Sequence, residues 1–156
     1  MSESKSDQIK FAERAGKDEL ELGSAFAPKF GDDGTIPAIT TDADSGEVLM
    51  FAFMNRESLS LSIQTGIVHY WSRSRNQLWK KGETSGNLQH IVEMRTDCDQ
   101  DVLLVRVHME GDGASCHQGY KSCFYRSLKA VGNNTSEPEL VFNDENRLFD
   151  PAEVYK

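Results

Sequence analysis

The sequence predicts a mixed α+β domain, mostly antiparallel strand with a short helix, on three observations. Between Val102 and Met109, Leu103, Val105, Val107 and Met109 alternate with Leu104, Arg106 and His108, the period-2 pattern of a strand buried mainly on one face. Two β-prone runs, Ile36 to Thr41 and Val48 to Met54, flank Asp42-Ala43-Asp44-Ser45-Gly46, whose Asp, Ser and Gly favour a reversing turn and so a hairpin. Asn55 then stands as an N-cap, Leu59 and Ile63 repeat at i and i+4, and Gly66 suits a left-handed helix end, which predicts a helix from about 56 to 65.

The remaining elements follow in order. Residues 1–30 are polar and punctuated by Gly16, Gly23 and Pro28, and read as a loosely held leader. Ile67 to Arg73 and Leu88 to Thr96 are rich enough in aromatic and β-branched residues to be strands, with Leu78-Trp79 between them. Cys123 to Leu128 suits a short strand or helix, and periodicity is lost after Gly132. The expected organisation is a leader (1–30), one domain (31–131) and an irregular acidic tail (132–156).

A length of 156 residues, 38 % hydrophobic and 27 % charged, suits one soluble domain with its own core. No run approaches the roughly 18 apolar residues of a membrane span, and Met1 to Asp7 lacks the basic-then-apolar order of a secretory signal, so a cytoplasmic protein is expected. The net charge of -8 argues against a nucleic-acid partner. Most of the excess acid lies at the two ends, while residues 73–81 hold Arg73, Arg75, Lys80 and Lys81 without an acid. Such an island is either a solvated basic turn or a receiver for a small anionic ligand.

Asp97, Asp99 and Asp101 alternate with Cys98 and Gln100, and in extended backbone three carboxylates would fall on one side and the thiol on the other. Their oxygens suit Mg²⁺; an EF-hand loop fails, because Val102 and His108 stand where it needs Gly and Glu. A solvated hairpin tip is the plain alternative. Cys98, Cys116 and Cys123 cannot all pair as disulfides, and they fall close to His117 and the three Asp, gathering the ligand types zinc prefers. Three protein ligands would leave one position for a water whose pKa zinc can lower towards about 7. Buried apolar thiols are the alternative here. His117 follows a proposed ligand directly and suits either a fourth ligand or a base, whereas His69, His90 and His108 lie in strands and read as structural. The segment from Trp71 to Asn87 combines guanidinium forks, hydroxyls, glycines and two Trp, suiting phosphate, ribose and a base, without matching a Walker A or dinucleotide fingerprint.

In order, Trp71 to Asn87, Asp97-Cys98-Asp99-Gln100-Asp101, Cys116-His117 and Cys123-Phe124-Tyr125-Arg126 closely resemble the phosphoribosyl-AMP cyclohydrolases of histidine biosynthesis, over roughly residues 35 to 130. The resemblance implies hydrolytic opening of the adenine ring of phosphoribosyl-AMP between N1 and C6, with no ammonia released. It implies an intertwined homodimer, with zinc held by Cys98 of one subunit and Cys116 and Cys123 of the other, and Mg²⁺ held by Asp97, Asp99 and Asp101. On this reading His117 relays protons, Arg73, Arg75 and Lys81 are candidates for the two phosphates, and Glu83, Thr84, Ser85 and Asn87 for ribose or ring contacts. Ser115-Cys116-His117-Gln118-Gly119 departs from the family's frequent Ala-Cys-His-Thr-Gly, and the short remainder of the chain suits the form without a fused pyrophosphohydrolase.

Two rival readings make distinct predictions. His108-Met109-Glu110 upstream of Cys116 faintly resembles a zinc deaminase signature but lacks its Pro and thiol spacing; a deaminase would release ammonia. A structural zinc module would bind a partner through the basic island and turn nothing over.

Overall fold

The computed structural model describes residues 8–144 and 146–155; the start of the leader and residues 145 and 156 of the tail lie outside it. A first helix, α1 (Lys17–Leu22), precedes the hairpin of β1 (Ile36–Asp42) and β2 (Val48–Met54). Helix α2 (Arg56–Thr65) follows, then β3 (His69–Ser72), β4 (Gln77–Lys80), β5 (Gln89–Thr96) and β6 (Leu103–Met109). The chain ends with β7 (Arg126–Leu128), β8 (Leu140–Phe142) and α3 (Pro151–Val154). The predicted α+β class holds. Among the described residues no helix is long and apolar enough to cross a membrane.

Four strands form the main sheet in the order β2-β1-β6-β5. The β1–β2 and β5–β6 pairs are antiparallel, as their turns require, but the central β1–β6 pair is parallel, with Ile39 opposite Leu104. That pairing joins strands far apart in sequence, so no local turn signal announces it. The β6 alternation is realised, with Leu103, Val105 and Val107 buried and His108 exposed. These side chains meet Ile36, Ala38, Leu49, Met54 and Leu59, all fully buried, to make the core. Helix α2 is capped as its sequence dictates: Asn55 Oδ1 accepts from the Ser58 amide, Ser58 Oγ accepts from the Asn55 amide, and Gly66 closes the far end.

Parts of the leader have definite contacts: Phe11 packs its ring 5.6 Å from Phe26 and 6.0 Å from Phe30, and the Arg56 guanidinium lies 4.7 Å from the Phe30 ring centroid, while α1 (Lys17–Leu22) between them buries no residue. Phe11, Phe26 and Phe30 follow no single period, so their convergence is a tertiary fact. Cys123–Leu128 yields the short strand β7, and the expectation of an irregular tail is corrected in part, because β8 pairs antiparallel with β7 and α3 is capped by Asp150. The two strands are three residues each and wholly exposed, too short for an alternation to register.

Tyr70 is the polar centre of this core. Its hydroxyl lies 2.6 Å from Thr40 Oγ1 and donates to Gln89 Oε1 at 2.7 Å, while Gln89 Nε2 reaches the Met50 sulfur at 3.3 Å. Burial pushes the Tyr70 phenol well above its ordinary range, so it stays protonated and keeps its donor. Tyr70→Phe leaves the buried Gln89 carbonyl oxygen without that donor and is expected to cost about 1–3 kcal/mol in urea unfolding, a loss that an unchanged midpoint would contradict.

Candidate active site

The thiols are organised by a closed loop. After β6 the chain folds back on itself, with the Ser115 amide donating to the Lys121 carbonyl (3.0 Å) and the Cys116 amide to the Tyr120 carbonyl (3.1 Å). Ser122 Oγ then donates to the Val48 carbonyl (2.7 Å), and the Cys123 amide to that of Leu49 (2.7 Å), which docks the loop exit on β2. The six residues between Cys116 and Cys123 are thus the length of one reversing loop, which brings the two thiols beside each other. The Cys123 thiol holds that of Cys116 down at about 6, against burial, with help from the Gln118 amide and the nearby His117 and Lys81. The Cys116 thiol and burial together push Cys123 upward.

Beside the pair lies a cavity of about 640 Å³, within the range usual for small-molecule sites. Cys123, His117, Ser115 and Lys81 line it, with Arg75, Glu83, Thr84, Ser85, Trp79 and Tyr155. Gly82 makes its floor possible: φ is +87° and a Cβ there would lie 2.3 Å from the Asn87 carbonyl carbon. His117 is exposed while Cys116 is buried, so the turn presents the imidazole to solvent.

Several predicted substrate residues sit elsewhere or do something else. Arg75 lines the cavity, with its Nε donating to Ser72 Oγ at 3.2 Å. Arg73 instead lies 3.6 Å over the Phe53 ring and lines an adjoining cleft that shares Arg75 and Trp79 with the main cavity. The Lys81 ammonium is buried, donates to the Ser115 carbonyl and lies in the field of both thiols. Burial lowers its pKa, and the thiols oppose that shift. Asn87 is fully buried, accepting from the Asp112 amide at 2.7 Å, and its Nδ2 has no partner among the described residues. Ser115 and Tyr155 were not singled out from the sequence. Ser115 contributes a backbone carbonyl, which no residue pattern encodes, whereas Asp150-Pro151 was a legible helix start five residues before Tyr155.

The acidic triplet is not extended, so the simple alternation of sides is corrected. Residues 97–101 form a turn in which Gln100 takes φ +57° and Asp97 Oδ1 accepts from the Asp101 amide (3.0 Å) and the Val102 amide (3.3 Å). Ligand atoms of Asp97, Cys98 and Asp99 all lie within 4.8 Å of one another, which brings the thiol to the carboxylates. Burial raises the Asp97 carboxyl, but the Asp101 amide and neighbouring hydrogen bonds outweigh it, leaving a value below the ordinary range. Asp101 moves upward because it shares hydrogen bonds with Asp97 and Asp99. The leader braces this turn: Gln100 Oε1 accepts from the Ala27 amide, Gln100 Nε2 donates to the Leu20 carbonyl, and Arg14 donates to the Asp99 carbonyl.

Cys98 lines a separate cleft with Leu20, Phe26 and Gln100, and among the described residues no group of three ligands joins it to Cys116 and Cys123. The other histidines are engaged elsewhere. His69 Nδ1 lies 2.8 Å from the Ile67 carbonyl, His90 pairs with Glu110 at 2.7 Å, and His108 lies 3.5 Å from Asp44. His108 and Glu110 therefore have partners away from the thiols, unlike a deaminase's ligand and acid.

A family model for phosphoribosyl-AMP cyclohydrolase matches residues 50–125. A phosphoribosyl-AMP cyclohydrolase of Sinorhizobium fredii is 53 % identical over 139 residues, covering 89 % of this chain and 90 % of the relative. One of Brucella canis is 57 % identical over 134 residues, covering 86 % and 96 %, and one of Brucella abortus 57 % over 125 residues, covering 80 % and 90 %. The chain belongs to the phosphoribosyl-AMP cyclohydrolase family.

The thiol loop is tied to the β1–β2 hairpin by Lys121, whose ammonium lies 3.2 Å from Asp42 and 3.1 Å from Glu47. The Asp44 amide first, and Lys121 after it, hold the Asp42 carboxyl below its ordinary 3.8. A lowered folded-state value stabilises the fold above the unfolded value and is lost as the pH falls through the folded one. Asp42→Asn is therefore expected to be less stable than the parent near neutrality and to converge with it in acid. Urea titrations from pH 6 downward measure this, and a gap that does not change with pH contradicts it.

Proposed function

We propose that this chain is a phosphoribosyl-AMP cyclohydrolase of histidine biosynthesis, hydrolysing the N1–C6 bond of the substrate's adenine ring, and that it acts as a cytoplasmic homodimer. The observation that carries the reading is the meeting of Cys123, His117 and Arg75 around one cavity of nucleotide size, about 640 Å³, with the buried Cys116 beside Cys123. The family's close relatives carry the same activity in their names.

Water adds across the bond in balance: oxygen joins C6, the N1–C6 bond breaks, a proton goes to N1, and the exocyclic nitrogen stays on the new carboxamide. N1 carries the second ribosyl group, so the ring is cationic and C6 is electrophilic. His117 is exposed at the cavity, suited to take the proton from the attacking water and return it to N1. Arg75 offers a fork to one phosphate, and Arg73 in the adjoining cleft offers a second. Glu83, Thr84 and Ser85 offer hydrogen bonds to ribose or ring. Lys81, buried beside the sulfurs, balances thiolate charge in place of the phosphate role. Asn87 acts beneath the cavity by holding the Asp112 turn.

The donor set fits zinc, because two thiols stand beside each other, one of them lowered to about 6, and thiolate sulfur is a preferred zinc ligand. Cys116 and Cys123 would hold the metal with Cys98 of the partner subunit, since Cys98 of the same chain lines another cleft. When bound, zinc supplies a Lewis acid that makes a water ionisable near neutral pH. Asp97, Asp99 and Asp101 offer the oxygens Mg²⁺ prefers, with Asp97 held below its ordinary value and Asp101 above it.

Cys116→Ala is expected to lose zinc and to lower the rate of ring opening, followed by ultraviolet absorbance with phosphoribosyl-AMP, by roughly a hundredfold or more. Chelation of the parent protein should give the same loss, reversed by zinc. Near-normal turnover by a zinc-free Cys116→Ala protein would remove the nucleophile from this scheme, and stoichiometric ammonia would mean a deaminase instead.

A further inference from the structure

We propose that Tyr155, carried by a tail that lies outside the segment matched by the family model, forms a wall of the substrate cavity and offers its ring to the nucleotide's base. This rests on the assignment of the cavity to the substrate.

The tail is fastened where the chemistry sits. The Leu148 amide donates to the Gly119 carbonyl at 2.6 Å, on the turn that carries Cys116 and His117. Gly119 has φ +91°, and a Cβ there would lie 2.2 Å from the Phe149 carbonyl oxygen, so tail and turn meet backbone to backbone. Arg147 Nη2 reaches Gln118 Oε1 at 3.4 Å, and its guanidinium lies 5.7 Å from the Tyr120 ring centroid. Upstream, Phe142 of β8 stacks 5.9 Å from Tyr125, which stacks 4.1 Å from Tyr120, and the Asn143 amide donates to the Tyr125 carbonyl at 2.8 Å. These attachments fix the approach of the tail from both of its neighbours along the thiol loop.

Past Phe149 the chain turns. Asp150 Oδ1 accepts from the Ala152 amide at 3.0 Å, Pro151 starts α3, and the short helix brings Tyr155 back to within 6.0 Å of the Phe149 ring. Tyr155 thereby joins His117, Cys123 and Trp79 around the cavity, while remaining 43 % exposed. An aromatic ring that packs at an angle on Phe149 and stays partly exposed beside a nucleotide-sized cavity has the chemistry to stack on a purine.

The experiment is steady-state kinetics on the full chain with phosphoribosyl-AMP, comparing Tyr155→Ala and Tyr155→Phe with the parent and recording zinc content and melting temperature for each. Tyr155→Ala should raise KM by roughly five- to twentyfold, the scale of one lost base–aromatic stack, with kcat and zinc content little changed. Tyr155→Phe keeps the ring and should keep a KM near that of the parent. A KM for Tyr155→Ala within twofold of the parent overturns the proposal while leaving the cavity assignment standing, and equal damage from both variants overturns the stacking role. A parent chain that does not open the ring at all overturns the cavity assignment and this inference with it.

Discussion

The closure of the loop from Ser115 to Lys121 and its docking on β2, which set the Cys116 and Cys123 thiols side by side, are the constraint on which the site is built. Neither sulfur alone would be notable: one is buried in a turn and the other is exposed beside β2. Brought together by the closed loop from Ser115 to Lys121, they shift in opposite directions, Cys116 down to about 6 and Cys123 upward. The rest of the local structure serves to keep that pair in register. Ser122 and the Cys123 amide fasten the loop to β2, Lys121 ties it to the hairpin acids, and Lys81 places a buried cation behind both sulfurs.

Burying an ammonium without a carboxylate is costly, and the cost indicates what the site is for. Lys81 is answered by the Ser115 carbonyl, the Trp79 ring at 5.6 Å and the negative charge the thiols carry. A cation so placed favours sulfur anions before any metal arrives, which is a reasonable preparation for a thiolate-binding ion. The same placement removes Lys81 from the free basic surface and leaves Arg75 and Arg73 as the guanidiniums beside the two clefts.

How far the sequence could be read depended on whether a feature was local. The hairpin around Asp42–Gly46, the Asn55 cap and the β6 alternation are each written in a few consecutive residues, and each stands as expected. The parallel β1–β6 pair, the convergence of Phe11, Phe26 and Phe30, and the bracing of the acidic turn by Gln100 depend on residues far apart in the chain. At the site, residue type alone marked Cys116-His117 and the acidic triplet as candidates, and Cys123 and His117 do line one cavity. Side-chain direction was not: Lys81 and Asn87 turn inward, and Gln100 with φ +57° bends the triplet into a turn that no alternation rule could anticipate.

The central proposal, drawn from the family resemblance and in keeping with Cys98 lining a different cleft from Cys123, is that a complete three-thiol centre needs two copies of the chain. The most direct measurement is complementation between Cys98→Ala and Cys116→Ala chains, each inactive alone, unfolded together and refolded as a mixture. In a two-fold dimer with shared sites, each mixed dimer holds one site with both lesions and one with none, so random pairing should return about a quarter of the parent's activity and zinc-dependent ring opening with it. A mixture no more active than its two components would contradict the account, because it would mean that each chain supplies all three sulfurs to its own site.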